Sequence, residues 1–411
     1  MTTDTRSRLK RLQSSGELGS KNPPAAVNTV QARQEFLFPG QDVFAETNAA
    51  SCYYRQLRVP LDQKHGNGPL AELLHCRGAD LVLPARDGLL AEINPRESLF
   101  LDIETTGLVG GTGTWVVLLG LGWVQNNAFY LRQYFLRHPS EEKAMLAHFT
   151  ETAARFTSVV TFNGKTFDLP MIQSRQILTG LCGIRPKHHL DLLFCSRRLW
   201  RERLASCSLR SLESALLGLQ RHGDIPGEEI PAVYFNYLRR GETTRLRDIF
   251  EHNVLDILSM VRLLACVAGA AKEEPEHPAD CISLGRLCYE QGQVDRAVRL
   301  YHRAAACGEE RLEQAAVLRL SFIFKRQGFW SEAAELWNQL IQQSCRDVTP
   351  YVELAKYYEH RAGDYKTAQA MTEQALARSH GGLYQLTSGQ LSRPALHHRL
   401  NRLQQKLARH S

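Results

Sequence analysis

The chain has 411 residues, of which 43% are hydrophobic and 23% are charged, so it can bury a sizeable core in two or three domains. Its formal net charge of +7 is weak support for a polyanionic partner, because a small excess is spread over a long chain. The ten cysteines form no C-x-x-C pair, which disfavours a zinc ribbon or a disulfide framework. With no signal-peptide core and no run of 18 apolar residues, we expect a cytoplasmic protein without a membrane partner.

The N-terminal part divides into two segments. Residues 1–34 contain six Lys or Arg against two acids and few large apolar side chains, which predicts a disordered basic arm. Such an arm can contact nucleic acid or be a simple solvated tail. Residues 35–97 carry short β-rich pieces, such as 52–60, broken by Gly and Pro, and we expect an N-terminal extension packed on the next domain.

Residues 98–270 alternate strand-like and helix-like patterns, which predicts an α/β domain with a five-stranded mixed sheet flanked by helices. The first three strands are joined by short turns and should be antiparallel, whereas the later two are separated by helices and should be parallel. The predicted strands are 98–104, 115–124, 128–135, 158–162 and 189–194.

A repeat runs through residues 278–380 and predicts an all-α domain of paired helices. Gly292, Gly328 and Gly363 are spaced 36 and 35 residues apart, and an alanine follows each glycine five residues later. The pattern resembles tetratricopeptide repeats. We expect residues 381–411 to be a basic capping helix or tail, with a nucleic-acid-binding arm as the alternative.

Four carboxylates lie in three separate blocks of the predicted α/β domain. Asp102 and Glu104 occupy alternate positions of a strand and therefore share one face, while Asp168 follows a later strand. Asp256 lies in a helix predicted from about 244 to 266. If these groups converge, they can bind two Mg²⁺ or Mn²⁺ ions that act on a phosphodiester.

His252 precedes Asp256 by one helical turn and is the expected proton acceptor. Asp191 follows a strand near the expected site, where a structural role is favoured over metal binding. Candidate substrate contacts follow the predicted strands 98–104 and 158–162, although the glycine run at 110–113 is equally consistent with a simple turn and Lys165 with a solvated residue. These candidates are Thr105, Gly111, Thr112, Asn163 and Lys165.

Three strings in this order, LDIETTG at 101–107, FNGKTFDLP at 162–170 and a helical His-x-x-x-Asp at 252–256, resemble the exonuclease motifs of the DEDD superfamily, whose fold is ribonuclease-H-like. Further strings at 110–114, 189–193 and 224–227 resemble the YprB-type branch, in which this domain is joined to tetratricopeptide repeats. The resemblance implies that Asp102, Glu104, Asp168 and Asp256 are the metal ligands.

The same resemblance implies 3′–5′ exonucleolysis of nucleic acid, with DNA favoured over RNA, and a role in DNA repair with a protein partner, such as a helicase, held by the repeats. One departure concerns His252, because members with a histidine base usually place it five residues before the last aspartate. The spacing of four belongs to the tyrosine-using branch, so His252 can act as base, orient water or hydrogen-bond the substrate. Two alternatives stay open: a non-catalytic nucleic-acid-binding adapter and a structure-selective endonuclease on the same scaffold.

Overall fold

The computed structural model describes residues 51–107, 113–343, 345–379 and 392–410, together with the backbone of 42–46. The predicted basic arm at 1–34 lies outside these ranges, as do Gly111 and Thr112.

A mixed β-sheet with the strand order β1-β2-β7-β6-β5-β8-β9 forms the centre of the first half of the protein. Strand β5 is antiparallel to β6 and parallel to β8, and β9 continues the parallel part, as predicted. Strands β3 and β4 form a separate small hairpin. The strands are β1 Asp42–Glu46, β2 Ser51–Pro60, β3 Lys64–His65, β4 Gly68–Pro69, β5 Leu99–Thr105, β6 Val116–Gln125, β7 Ala128–Phe135, β8 Ser158–Thr161 and β9 His188–Asp191.

The prediction of five strands was wrong, because the N-terminal extension contributes to the sheet. Strand β2 pairs antiparallel with β7, from Tyr53 opposite Phe135 to Pro60 opposite Ala128. In the sheet order, six strands therefore lie from β2 to β9. The short β1 is a further strand at the edge, next to β2. The predicted strand at 189–194 was also too long, since Asp191 accepts a hydrogen bond from the Leu193 N–H and starts a helix there.

The helices of the sheet-containing half lie on both faces of the sheet, and seven more follow in the second half. The α-helices of the described residues are α1 Gly78–Ala85, α2 Glu142–Ala153, α3 Asp168–Leu178, α4 Leu192–Trp200, α5 Leu209–Leu212, α6 Ile230–Arg240, α7 Leu246–Lys272, α8 Pro278–Glu290, α9 Val294–Ala305, α10 Glu310–Gln327, α11 Trp330–Gln342, α12 Thr349–Tyr357, α13 Tyr365–Arg378 and α14 Arg393–His410.

The two faces of strand β5 have different partners. Leu99, Leu101 and Ile103 belong to the apolar cluster formed with α2 and α3. Phe100 points to the opposite face and packs in the cluster that contains the apolar residues of α7. Because strand side chains alternate, Asp102 and Glu104 share the face of Phe100 and point toward α7.

Helix α7 is the longest helix of the described chain, with 27 residues. Its length would allow it to cross a membrane, as would the mean hydropathy of 1.9 in its most apolar 18-residue stretch. However, 61% of that stretch is buried inside the protein. It contacts β5, β6 and the N-terminal helix α1. The apolar composition of α7 is thus explained by its place in the core.

The predicted repeat corresponds to three helix pairs, α8–α9, α10–α11 and α12–α13. Gly292, Gly328 and Gly363 have φ between 70° and 89° in the connections, a left-handed conformation that favours glycine. The three alanines that follow them are fully buried in the second helix of each pair. The period therefore marks one tight turn and one close helix contact per pair.

Helix α14 packs on α13 and directs its basic residues to a buried acid. Glu359, whose side chain is fully buried, accepts hydrogen bonds from Arg399 at 2.6 Å, from Arg402 at 2.8 Å and from Lys406 at 3.0 Å. These three cations therefore share one buried carboxylate.

Candidate metal centre

The first pair of acids lies where β5 meets β6. Asp102 pairs with Gly120 of β6, and a β-bulge follows Glu104. A side chain at Gly120 would overlap the amide of Asn253 from α7. The missing Cβ thus lets Asn253 reach across β6 to β5.

Asn253 holds the carboxylate of Asp102 in place. Its Nδ2 donates to Asp102 Oδ2 at 2.8 Å, and its Oδ1 accepts from Gln133 Nε2 at 2.9 Å. Both amide side chains are fully buried. Since Gln133 donates, the Asn253 amide can present only its NH₂ group to Asp102.

Asp168 comes beside the same strand as the first residue of α3. Its Oδ1 accepts the backbone N–H of Ile103 at 3.2 Å, so the carboxylate lies against β5. The preceding turn is fixed by Asp191, whose oxygens accept the N–H groups of Asn163 at 2.9 Å and Lys165 at 3.0 Å. Asp191 uses both oxygens on the backbone, which is a structural role.

His252 and Asp256 complete the site from α7. His252 Nε2 lies 3.6 Å from Asp256 Oδ2 and 3.8 Å from Glu104 Oε1. Its Nδ1 lies 2.8 Å from Asp224 Oδ1. One imidazole thereby joins residues from three separate parts of the chain.

Arg221 is a buried cation next to the acids. Its Nη2 lies 2.5 Å from Asp256 Oδ1, and its Nη1 lies 3.1 Å from Asp224 Oδ2. The same guanidinium also pairs with Glu213. Three carboxylates therefore share one arginine.

The acids interact strongly with one another. Burial, together with the charges of Asp256 and Asp168, raises the pKa of Asp102 well above its ordinary value. Burial raises the pKa of Glu104 as well, and the charges of Asp102, Asp256 and Asp168 add to this effect. For Asp168, burial raises the pKa to about 7 although two backbone N–H groups stabilise its charged form. These carboxylates are close enough that a cation would relieve their mutual repulsion.

Comparison with known proteins places the chain in a family. It is 31% identical over 339 residues to the uncharacterized protein YprB of Bacillus subtilis (strain 168), covering 79% of this chain and 80% of that protein. The chain belongs to the YprB family. In this YprB-family protein, residues 99–268 match the model of the RNase_H superfamily, so the sheet domain is RNase H-like and of the kind that processes nucleic acid.

A solved structure, the family B DNA polymerase from the hyperthermophilic archaeon Pyrobaculum calidifontis, aligns with 47% of this chain and 29% of the polymerase. The identity is 14% and the TM-score 0.32, and the chain thus spans less than a third of that polymerase.

The donor chemistry of the YprB-family site fits a divalent metal. Asp102, Glu104 and Asp168 supply only oxygen ligands, and burial followed by the charges of neighbouring acids raises the pKa of each, an effect that a bound cation would oppose. Within the described ranges, however, no group of three or more acidic, histidine or cysteine side chains is arranged so that it could hold a metal ion. The ion pair between Asp256 and Arg221 is one reason, because it directs an Asp256 oxygen toward the guanidinium.

All five residues that the sequence placed in the catalytic site come together in the structure. The described candidates for substrate contact have other roles within the fold. The Thr105 hydroxyl donates to the Gly107 carbonyl at 2.8 Å, and Asn163 and Lys165 lie in the turn held by Asp191. Sequence reasoning did not find the partners of the acids. Those partners are Arg221 and Asn253; sequence reasoning also missed Asp224 as the partner of His252, and Gly120 and Gln133, which position Asn253.

Proposed function

We propose that this protein is a metal-dependent 3′–5′ exonuclease that hydrolyses phosphodiester bonds of nucleic acid, with DNA favoured over RNA. The observation that supports it is the meeting of Asp102, Glu104, Asp168 and Asp256 from three chain segments in an RNase H-superfamily domain. Four carboxylates packed against each other have no evident structural benefit, because each raises the cost of ionising the others.

The four acids would hold two Mg²⁺ or Mn²⁺ ions, which supply an activated water and charge stabilisation for the attacking and leaving oxygens. Asp256 would first have to exchange Arg221 for the ion. Arg221 retains Glu213 and Asp224 as partners when Asp256 turns away.

The remaining site residues position and accept protons. His252 Nδ1 donates to Asp224 Oδ1, so the lone pair of neutral His252 is on Nε2, on the side of Glu104 and Asp256. Burial opposes the ionisation of Asp224, but the hydrogen bond from His252 and the nearby Arg221 lower its pKa overall. His252 can therefore accept a proton from the attacking water while Asp224 fixes its tautomer.

The 3′–5′ direction, the preference for DNA, the role in repair and the cytoplasmic location are parts of the proposal that rest on the sequence motifs and composition. We also propose that the helix pairs are tetratricopeptide repeats that hold a protein partner, such as a helicase. In support, Tyr289, Phe322, Arg326 and Trp330 line a groove with Lys325 on the first two pairs. Aromatic and basic side chains of this kind are frequent in protein interfaces.

The test uses 5′-labelled single- and double-stranded DNA and matched RNA, with Mg²⁺, Mn²⁺ or EDTA. Two variants on one helix are compared with the wild type, Asp256→Ala in the site and Asp248→Ala, an exposed acid paired with Arg245 at 3.3 Å. We expect a ladder that shortens from the 3′ end and disappears with EDTA and with Asp256→Ala, whereas Asp248→Ala keeps it. An Asp102→Ala variant should also be inactive.

Two results would replace the proposal. Internal cuts that do not need a free end would identify a structure-selective endonuclease. Absence of cleavage on every substrate, with nucleic acid still bound, would identify a non-catalytic adapter.

A further inference from the structure

A cleft of about 740 Å³ opens beside the candidate metal centre. Phe162 and Asn163, which follow β8, form one wall, and residues 204–208 form the opposite wall. Arg197 and Arg201 of the α4 end lie between them. Within the described chain, no acidic residue lines this cleft.

The cleft follows the carboxyl ends of β8 and β9, at the same edge of the sheet where the parallel strand β5 carries Asp102 and Glu104. Asn163 lies in the turn that leads to Asp168 at the start of α3. The other wall ends at Ser208, two residues before Arg210, and Arg210 Nη2 lies 2.7 Å from Asp224, the partner of His252. Each wall is therefore connected through a short stretch of chain to a residue of the candidate metal centre or to the partner of one.

Among the described residues, Arg197 and Arg201 have neither an ion pair nor a hydrogen-bond partner for their side chains. Arg198, by contrast, donates to the carbonyls of Pro84 and Ala85 at 2.9 Å and is used in the fold. Arg197 and Arg201 are exposed, one helical turn apart, and their charges both act on Cys207 across the cleft.

We infer that this cleft binds the sugar-phosphate backbone of the substrate strand, with Arg197 and Arg201 on neighbouring phosphates. The inference rests on the proposed function and adds to it the path of the strand. Two guanidiniums that are not paired with a described carboxylate, in a cleft whose described lining has no acid, match phosphate groups in charge and geometry. The hydroxyls of Ser206 and Ser208 and the amide of Asn163 add polar groups of the kind that contact phosphate and sugar. The ring of Phe162 offers a surface for a base.

The test measures binding of a fluorescent single-stranded oligonucleotide to the full chain in EDTA, over a series of salt concentrations. The variant is Arg197→Ala/Arg201→Ala. We expect its affinity at low salt to fall by about 10-fold or more. The slope of log affinity against log salt should become shallower by about 1.4, since each phosphate contact to a single strand contributes about 0.7.

Two further variants separate position from charge. Arg299→Ala/Arg303→Ala also removes two arginines one turn apart, but on α9, where both face Glu274 at 3.9 and 3.0 Å. We expect this control to bind as the wild type does. Arg197→Lys/Arg201→Lys should restore the salt slope and only part of the affinity, because lysine cannot make the bidentate contact. If the cleft variant binds no more weakly than the α9 control, the inference is wrong.

Cleavage kinetics distinguish the cleft from the chemistry. With Mg²⁺ or Mn²⁺, the cleft variant should raise KM for an oligonucleotide and leave kcat within about 2-fold, because the arginines hold the strand in both ground and transition states. Hydrolysis of bis(4-nitrophenyl) phosphate, which is too small to span the cleft, should be unchanged. A fall in kcat on both substrates would place the arginines in the chemistry and overturn the inference.

The proposed function and the cleft can fail separately. If the wild type cleaves nothing but its binding depends on the two arginines, the exonuclease proposal is wrong and the cleft stands. If the wild type cleaves nucleic acid but its binding does not depend on the two arginines, the exonuclease proposal stands and the inference about the cleft is wrong. If the cleft variant instead weakens binding of poly-glutamate and leaves oligonucleotide binding unchanged, the cleft takes an acidic protein segment and the inference is wrong.

Discussion

The carboxylate of Asp256 faces two groups, Arg221 Nη2 at 2.5 Å and His252 Nε2 at 3.6 Å. The Arg221 side chain is only 4% exposed, and it is shared by Asp256, Glu213 and Asp224. Without Arg221 these acids would face one another without a buried countercharge. The arginine is therefore a stabilising residue of the metal-free protein as well as a neighbour of the reaction centre.

Replacing Arg221→Met keeps much of the volume and removes the charge. We expect the free energy of unfolding in EDTA to fall by about 3–5 kcal/mol, because three buried carboxylates lose their partner. Mg²⁺ should recover part of this loss. Urea unfolding with and without Mg²⁺ measures both effects.

The control for this change is Arg240→Met, whose side chain is 69% exposed and 3.4 Å from Glu242. An exposed pair of this kind contributes at most about 1 kcal/mol. If Arg221→Met were as stable as this control in EDTA, Arg221 would not be the countercharge of the site.

The raised pKa of Asp168 predicts an unusual pH dependence. Its pKa is about 7 in the folded protein against an ordinary 3.8, so between these values the folded state holds a proton that the unfolded chain has lost. Stability in EDTA should therefore fall as pH rises through this window, and the destabilisation should be complete above about pH 7.

Asp168→Asn tests this prediction, because the amide cannot titrate. In EDTA we expect the variant to be more stable than the wild type at about pH 8 and to show a shallower fall between about pH 5 and pH 8. Urea midpoints at the two pH values give the comparison. Equal slopes for both proteins would show that Asp168 ionises normally in the fold.

The four acids could be found from the sequence because each lies in a local pattern: an alternating strand for Asp102 and Glu104, the end of a strand for Asp168 and a helix face for Asp256. Arg221 could not, since it lies in an irregular segment and gains its role only where that segment passes α7. Asn253 was visible as the neighbour of His252, but its contact with Asp102 depends on the missing side chain of Gly120, which lies on another strand.

At the scale of elements, the contact between β6 and α7 decides how close the helix residues come to β5. In Gly120→Ala the new methyl group would overlap the Asn253 amide and push it away from Asp102. We expect a stability loss of about 1–3 kcal/mol from overpacking. Activity per folded molecule should fall by about 10–100-fold, because Asp102 loses its orienting partner.

Gly122→Ala is a matched control on the same strand. Its methyl group would meet Phe129 and Ile257 in the apolar core and would leave Asn253 untouched. We expect a similar loss of stability but near-normal activity per folded molecule. Unfolding curves and cleavage rates normalised to folded protein decide between the two; equal activity losses would contradict the role given to Gly120.

The strand directions followed from the connections between the strands and the helix α7 followed from its sequence pattern, but the edge of the sheet did not. Residues 51–60 show a β pattern, and nothing local says that they pair with β7, more than 60 residues later. The end of β9 was missed for a different reason. Its apolar pattern continues into α4, and the change is made by the hydrogen bonds of Asp191 to Leu193 and to the turn at 163–165.

At the scale of the whole molecule, one apolar cluster joins the sheet domain to the first helix pairs. Leu199 and Val267 from α4 and α7 belong to the same cluster as Leu284, Leu287 and Leu300 from α8 and α9. Arg203 pairs with Asp280 at 3.3 Å across this contact. The first helix pair is thus held by the same core as the RNase H-like domain.

Leu287→Ala should therefore weaken both parts together. The side chain is fully buried, and its truncation is expected to cost about 2–5 kcal/mol. Hydrogen exchange should speed up in β5 as well as in α8. Acceleration confined to the helix pairs would show that the two parts unfold independently; Leu89→Ala, at a site 63% exposed, serves as the control.

The salt bridge of Arg221 bears on how the protein matures. A chain that supplies its own positive charge can finish folding before any ion is available, so assembly of the polypeptide and loading of the metal are separate steps. Under the proposed function, depletion of divalent ions would leave the protein folded but without nuclease activity. Restoring the ions would then return the activity of the existing molecules without new protein synthesis.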